Sequence, residues 1–408
     1  MLAQLLLDDD VRLVALRGGL GAVPGIRLAG VHAGIKPRKR DLALAVFDLP
    51  QVCAAAVTTN EIKAAPVLLS AAHLEASGGT MRAFVCNSGC ANACTGERGD
   101  RDAAATARQA AALLGLAPAE VVVASTGVIG VPLPMDRVQR GLERAVAQLE
   151  TGGKAGNDAA EAIMTTDRVP KLAAYSFYVH EKKYVVGGIA KGSGMIAPNM
   201  ATMLAFIATD LPLAREELQR ELLASVDESF NMISVDGDMS TNDAVYAFAP
   251  AGAAEAPPIA FSRALRQVCL DLAHAMVDDG EGATKTLTMH VTGARDVGQA
   301  RTIARAVINS NLVKTALYGE DPNWGRIIAA AGSVKAGLDP QSWSLLLNGK
   351  TWVEPGAIEA LTEAEAYREL ELHEITIELR LGQGEARATG WGCDLSKDYV
   401  RINASYRT

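Results

Sequence analysis

Apolar positions follow two rhythms along this chain. Short runs that end in turn residues, Leu42–Phe47, Phe84–Cys86 and Val121–Ala124, read as strands. Longer stretches with apolar residues at every third or fourth place read as helices. One is the Ala-rich Asp102–Leu114; another is Met135–Leu149, where Val138, Leu142, Ala145, Val146 and Leu149 share a stripe. Ala174–Val179 and Tyr184–Gly188 flank Glu181-Lys182-Lys183 and predict a hairpin. Further on, the pattern predicts a strand at Met203–Ala208, helices at Leu213–Phe230 and Ser262–Met276, and a strand at Thr286–Val291. Thr302–Tyr318 reads as one helix, Ile327–Val334 as a strand and Glu374–Leu381 as a cleanly alternating strand. This mixture predicts an α/β class (α+β, mixed sheet), with Pro250–Pro258 as an exposed loop.

Composition narrows the picture. The 408 residues are 49% hydrophobic with 38 Gly, enough apolar content for a sizeable core and for two or three domains or one composite unit. The net charge of −8 argues against nucleic acid or an anionic membrane as partner. Charge is unevenly spread: residues 1–201 hold 21 basic and 18 acidic side chains (+3), residues 202–408 hold 18 and 29 (−11). Six cysteines are too few for a disulfide-stapled secreted domain. Cys86, Cys90 and Cys94 are spaced by four, but Asn87-Ser88-Gly89 between them reads as a turn, so they are expected to be ordinary thiols and no metal is implied. Asp8-Asp9-Asp10 stands where a targeting segment would carry basic residues. The longest uncharged run, Gly192–Thr209, is broken by Gly, Pro and Asn and fails as a membrane span. A cytoplasmic protein is expected.

Four places could carry chemistry. Asp236–Asp243 resembles a calcium loop but has Thr241 at the sixth position and Ala247 at the twelfth, so it reads instead as a polar loop that orders a site. Gly187–Gly194 is glycine-rich after a strand yet matches no nucleotide motif, which leaves close approach of backbone, or of substrate, to a strand end as its reason. Lys191 within it is an isolated cation that needs a carboxylate or a ligand. Ser125-Thr126-Gly127 ends a strand with hydroxyls and backbone N–H groups, the materials of an oxyanion hole. The fourth place is Thr202. A threonine hydroxyl needs an adjacent base, and an N-terminal threonine has one in its own α-amine, with a pKa of about 7.7–8.0. That would require a cut between Ala201 and Thr202, the boundary at which the charge changes sign. The plain alternative is a strand threonine.

At these residues the chain resembles the ornithine acetyltransferase (glutamate N-acetyltransferase) family. The resemblance rests on Val23–Pro37, Thr58–Pro66, Asn87–Gly96, Ser125–Gly130, Met164–Asp167 and Lys191–Leu204, then Val235–Asp243, Glu281–Lys285, Asp321–Arg326 and Tyr399–Thr408, in order along nearly the whole chain. It implies an ornithine acetyltransferase-type fold that cuts itself before Thr202 into an α chain (1–201) and a β chain (202–408), which stay together as an α2β2 heterotetramer. It implies acetyl transfer from N2-acetyl-L-ornithine to L-glutamate by a ping-pong route in arginine biosynthesis. Thr202 would carry the acetyl group, Thr126 and Gly127 would hold the oxyanion, and Thr165, Lys191, Glu281, Asn403 and Thr408 would contact substrate. Arg168, Val169 and Cys90 depart from the usual family residues without touching the nucleophile. No cofactor is implied. Acetyl-CoA would enter only as a co-substrate, and the motifs are shared by members that do and do not use it. Two rival classes keep the same residues: an N-terminal-nucleophile hydrolase or aminopeptidase with water as acceptor, and a non-enzymatic carrier.

Overall fold

The computed structural model describes residues 11–197, 203–252, 257–356 and 358–405. Strands and helices run in chain order as β1 (Val14–Ala15), β2 (Ile26–Val31), β3 (Leu42–Val57), α1 (Ala65–Ala76), β4 (Thr80–Cys90), α2 (Gly96–Leu114), β5 (Val121–Val128), α3 (Met135–Ala147), α4 (Gly153–Ile163), β6 (Lys171–Val179) and β7 (Lys182–Lys191). After position 202 come β8 (Leu204–Thr209), α5 (Arg215–Glu228), β9 (Ile233–Ser234), β10 (Ala244–Pro250), α6 (Ile259–Asp278) and β11 (Thr286–Ala294). The last part holds α7 (Val297–Asn309), α8 (Asn311–Tyr318), α9 (Trp324–Ser333), β12 (Ser344–Leu347), β13 (Lys350–Glu354), β14 (Ile358–Glu359), α10 (Glu363–Leu370), β15 (Glu374–Arg380), β16 (Ala386–Cys393) and α11 (Lys397–Ser405).

The first sheet has the order β1-β6-β7-β8-β10-β3-β4-β5, with β2 also on β3. It is mixed: β8 and β10 are parallel, as are β4 and β5, while β7 and β8 are antiparallel. Both faces are buried, and the period of two divides each strand between them. Along β3, Leu42, Leu44 and Val46 pack against α2 and α3, whereas Ala43, Ala45 and Phe47 join Phe84, Phe206 and Phe248 over α4. The Phe84 and Phe206 rings stack at 4.0 Å between centroids. Along β8, Ala205 and Ile207 face α5 and α6. The second sheet, β14-β13-β12-β15-β11-β16-β9, buries its core under α7, α8 and α9.

Residues on either side of position 202 do not form separate layers. Downstream strands β8 and β10 lie between upstream strands β7 and β3 in one sheet. The hairpin is present as β6 and β7, and the glycines there admit backbone: a Cβ on Gly187 would lie 2.3 Å from the Gly19 carbonyl oxygen.

Three expectations need correction. Ile327–Val334 lies in a helix, α9, whose buried residues Ile327 and Ala331 are one turn apart; a short apolar run does not separate strand from helix. The predicted helix Thr302–Tyr318 is two helices, α7 and α8, broken at Ser310, whose hydroxyl caps α8 by accepting from Val313 N–H. Asn87-Ser88-Gly89 is extended strand within β4 rather than a turn, with Cys86 and Cys90 buried and Cys94 exposed. The Pro250–Pro258 loop lies partly outside the described residues. Among those described, no helix is long and apolar enough to cross a membrane.

Candidate active site

Several strands of the first sheet end at one place. The parallel pair β4 and β5 brings Ser88 beside Thr126 and Gly89 beside Gly127. β7 ends there at Lys191, and β8 and β10 begin there. The loop Met164–Asp167, the loop Asp236–Asp243 and helix α11 close the sides. The result is a cleft of about 680 Å³ including its open mouth, lined by Thr126, Gly127, Thr165, Lys191, Glu281 and Asn403. Every sequence-predicted substrate or oxyanion residue that is described therefore meets in one cavity, although these residues span 277 positions of sequence from Thr126 to Asn403. Ala201, Thr202 and Thr408 lie outside the described residues; Met203, bonded to Thr202, is buried at the head of β8.

The oxyanion candidates are fixed from behind. Asn242 donates from Nδ2 to the carbonyls of Ala91 (2.7 Å) and Ser125 (2.8 Å), and Ser125 Oγ donates to Asn87 Oδ1 (2.6 Å). Gly127 holds φ +128°, and a Cβ there would lie 2.4 Å from the Gly89 carbonyl carbon, so only glycine fits. Lys191 is 3% exposed. Its ammonium makes one hydrogen bond among the described residues, to Thr126 Oγ1 at 3.4 Å, and has no carboxylate there within ion-pair distance. Asp167 and Asp243 act on it only at longer range, which leaves the place of a direct partner to whatever occupies the cleft.

At the far side Glu281 is buried and accepts from Asn403 Nδ2 at 2.8 Å. Its carboxyl occupies the space of a missing side chain, since a Cβ on Gly194 would lie 2.5 Å from Glu281 Cδ. The Thr165 side is tied by Asp167, which accepts from Thr165 N (2.9 Å), Gly192 N (2.7 Å) and Lys171 Nζ (2.7 Å). Burial pushes the Asp167 carboxyl up, but the Lys191 and Lys171 ammonium groups outweigh it and hold the group at about 2. Lys36 donates to the Met164 carbonyl at 2.9 Å; burial brings its ammonium down to about 8 against the pull of Asp41.

The Asp236–Asp243 loop does order the site. Asp236 accepts from the backbone N–H of Met195 (2.6 Å) and Ile196 (2.8 Å), and Tyr399 donates its hydroxyl to it at 3.2 Å. Sequence reasoning gave no individual roles to Asp236, Asp238 and Tyr399, which also line the cleft. The usable signal was the spacing of Tyr399 and Asn403, one turn apart on α11, where Asn403 Nδ2 also donates to the Tyr399 carbonyl at 3.1 Å. The cleft thus opposes one buried ammonium to three carboxylates, with backbone amides and a hydroxyl between. Such a site suits a small zwitterion carrying a second charge.

The ArgJ family model matches residues 27–408. The arginine biosynthesis bifunctional protein ArgJ of Symbiobacterium thermophilum is 49% identical over 404 residues, covering 96% of this chain and 99% of that protein. Its namesake from Caldanaerobacter subterraneus is 46% identical over 405 residues, with 96% and 99% covered. A crystal structure of ornithine acetyltransferase complexed with ornithine, from Mycobacterium tuberculosis, shares 46% identity over 46% of this chain and 98% of that chain, at a TM-score of 0.43. With a family match over nearly the whole length and relatives this similar end to end, the chain belongs to the ArgJ family.

Proposed function

We propose that this protein transfers the acetyl group of N2-acetyl-L-ornithine to L-glutamate in arginine biosynthesis. The observation that carries the reading is the buried Lys191 ammonium, which has no ion pair among the described residues, in the same cleft as the Glu281–Asn403 pair. Lys191 neutralises the α-carboxylate and Glu281 holds the ornithine side-chain ammonium, each by a charge-assisted bond. Thr202, freed by a cut after Ala201, attacks the acetyl carbonyl through Oγ1, and its α-amine takes the hydroxyl proton. The Thr126 hydroxyl and Gly127 N–H meet the negative charge that forms on the carbonyl oxygen. Collapse breaks the carbon–nitrogen bond, and ornithine leaves with the proton. The acetyl group stays on Thr202 until the glutamate amine attacks it. Ala91 and Ile129 give the cleft an apolar wall beside Thr126, suited to a methyl group. Thr165 and Thr408 complete the substrate contacts.

In this reading residues 1–201 and 202–408 are two chains of one α2β2 cytoplasmic assembly, and no resident cofactor takes part. The relatives' shared description as bifunctional favours a second activity, acetylation of glutamate from acetyl-CoA, which uses the same acetyl-Thr202. Intact mass tests the proposal. The purified protein should resolve into pieces of 201 and 207 residues (counted from the sequence). N-acetylornithine alone should add one acetyl to the larger, and Thr202→Ala should stay in one piece. Acetyl on the smaller piece, or a cut Thr202→Ala chain, would sink it. Acetyl-CoA in place of N-acetylornithine separates the one-activity and two-activity forms.

A further inference from the structure

Strand β5 is the last in its sheet, so one of its edges has no strand beside it among the described residues. The backbone groups on that edge alternate along the chain, and side chains meet them one by one. His73 Nδ1 reaches the Val121 carbonyl at 2.8 Å. Ser70 Oγ donates to the Val123 carbonyl (2.7 Å) and accepts from Val123 N–H (2.9 Å). Both side chains come from α1. The next carbonyl in the alternation, that of Ser125, takes the Asn242 amide at 2.8 Å. Asn242 belongs to the loop before β10, on the other side of position 202 in the chain. After Ser125 the alternation arrives at Gly127, and there the regular ladder ends: the pairing of β4 with β5 shifts register between Gly89 and Cys90. The strand neighbour beside Thr126 and Gly127 is therefore irregular, and Asn242 is the last free-edge brace before them.

Asn242 lines the cleft and is 5% exposed. Its second amide hydrogen goes to the Ala91 carbonyl at 2.7 Å, so no donor is left on Nδ2 for a ligand. Two carbonyls around Nδ2 fix which way the amide faces, and Oδ1 takes the Thr241 hydroxyl at 2.6 Å. The Asn242 N–H is held by Ser240 Oγ at 3.0 Å. A buried amide with its nitrogen, oxygen and backbone all bonded keeps one geometry, and passes it to the rigid Ser125–Thr126 peptide plane. We propose that Asn242 is a positioning residue for the oxyanion site: by holding the Ser125 carbonyl it sets the peptide from which the Thr126 hydroxyl and the Gly127 N–H project into the cleft. The inference rests on the reading that those two groups meet the charge on the acetyl carbonyl. Asn242 itself acts on neither substrate nor the reacting atoms. A displaced donor loses much of its hold on the developing charge, whereas the ground-state contacts of Lys191 and Glu281 stay as they are. Removing the clamp therefore acts on rate and leaves binding alone.

Asn242→Leu, of similar outline and without donors, tests this. Single-turnover acetylation by N-acetylornithine should slow by about ten- to hundred-fold, with the substrate concentration at half-maximal rate within about two-fold of wild type. In a Thr126→Val background the same change should cost about three-fold or less, because a donor that the clamp aims is gone. A full-rate Asn242→Leu, a loss that falls mainly on substrate binding, or additive losses in the double variant would each overturn the proposal. Should Asn242→Leu fail to fold, Thr241→Val decides: it removes only the hydroxyl on Asn242 Oδ1 and frees the amide to turn. That variant should slow acetylation by about three-fold or more with the same split between rate and binding. A wild-type rate in it overturns the role of Asn242. Two other results fail the underlying reading instead: a wild type that takes no acetyl from N-acetylornithine, or a Thr126→Val enzyme that acetylates at the wild-type rate. A slow Thr126→Val beside a full-rate Asn242→Leu fails Asn242 alone.

Discussion

Lys171 and Lys191 stand at the same end of the β6–β7 hairpin, Lys171 paired with Ala190 across the ladder and Lys191 the next residue along. Both are buried, at 1% and 3% exposure. Their direct partners differ. Lys171 reaches Asp167 and Asp279, each at 2.7 Å, and Asp279 also takes the guanidinium and backbone N–H of Arg168. Lys191 has the Thr126 hydroxyl at 3.4 Å and no ion pair among the described residues. Adjacent ladder positions point to opposite faces of the sheet, so one residue of register separates the two settings. A buried cation closed by carboxylates fastens the loop Met164–Asp167 to the end of α6. The same residue type, left without an ion pair among the described residues, is what the proposed function uses as its receptor for an anion.

The strongest test of the contrast is Lys171→Met. It leaves Asp167 and Asp279 facing one another with no cation between them, and breaking a buried pair in this way typically costs about 3–5 kcal/mol. The denaturation midpoint should fall accordingly; a loss below about 1 kcal/mol would mean that the cluster does not hold the loop. Lys191→Met should show the reverse balance. Stability should fall by less than in Lys171→Met, since Lys191 has no ion pair among the described residues and acts on Asp167 only at longer range, while kcat/KM for N-acetylornithine drops ten- to hundred-fold, the loss of about 1.5–3 kcal/mol for one charge-assisted bond. A variant that is destabilised but normally active would reverse the assignment.

The smallest expected effect is in pH. Asp167 is held at about 2 in the folded protein, below its ordinary value, so its stabilising contribution is present above about pH 4 and fades as pH falls toward 2. Wild-type stability should decline across that window. In Lys171→Met the decline should be shallower and end at higher pH, because one of the cations that lower Asp167 in the folded protein is gone. Identical acid limbs in the two proteins would uncouple Asp167 from Lys171.

Much of the candidate site was legible in the sequence because its residues sit on motifs with unusual chemistry. Lys191 among glycines, Ser125-Thr126-Gly127 at a strand end and the acidic loop before β10 each declared a need that folding meets in one cleft. The Asp167–Lys171–Asp279 cluster was not legible, since Lys171 and Asp279 are 108 residues apart and no local pattern links them. Helix α4 escaped the hydrophobic pattern for a different reason. Its buried face is alanine and glycine, chosen for closeness rather than apolar contrast: a Cβ on Gly156 would lie 2.1 Å from the Gly18 carbonyl oxygen. The misassigned α9 marks the converse limit, in which Ile327, Ile328 and three alanines form an apolar run compatible with either period.

The strand order has a thermodynamic consequence for a chain cut before Thr202. Because β8 and β10 are sandwiched between β7 and β3, each piece would lack the neighbours that satisfy its own strands. The uncut chain can fold as a unimolecular process, whereas the cut protein can recover only by second-order encounter of two incomplete partners. Its apparent stability then rises with protein concentration through mass action, and unfolding in dilute solution becomes a one-way step. Longevity of the mature form would depend on how slowly the interleaved sheet opens, a rate, and no longer on a folding equilibrium.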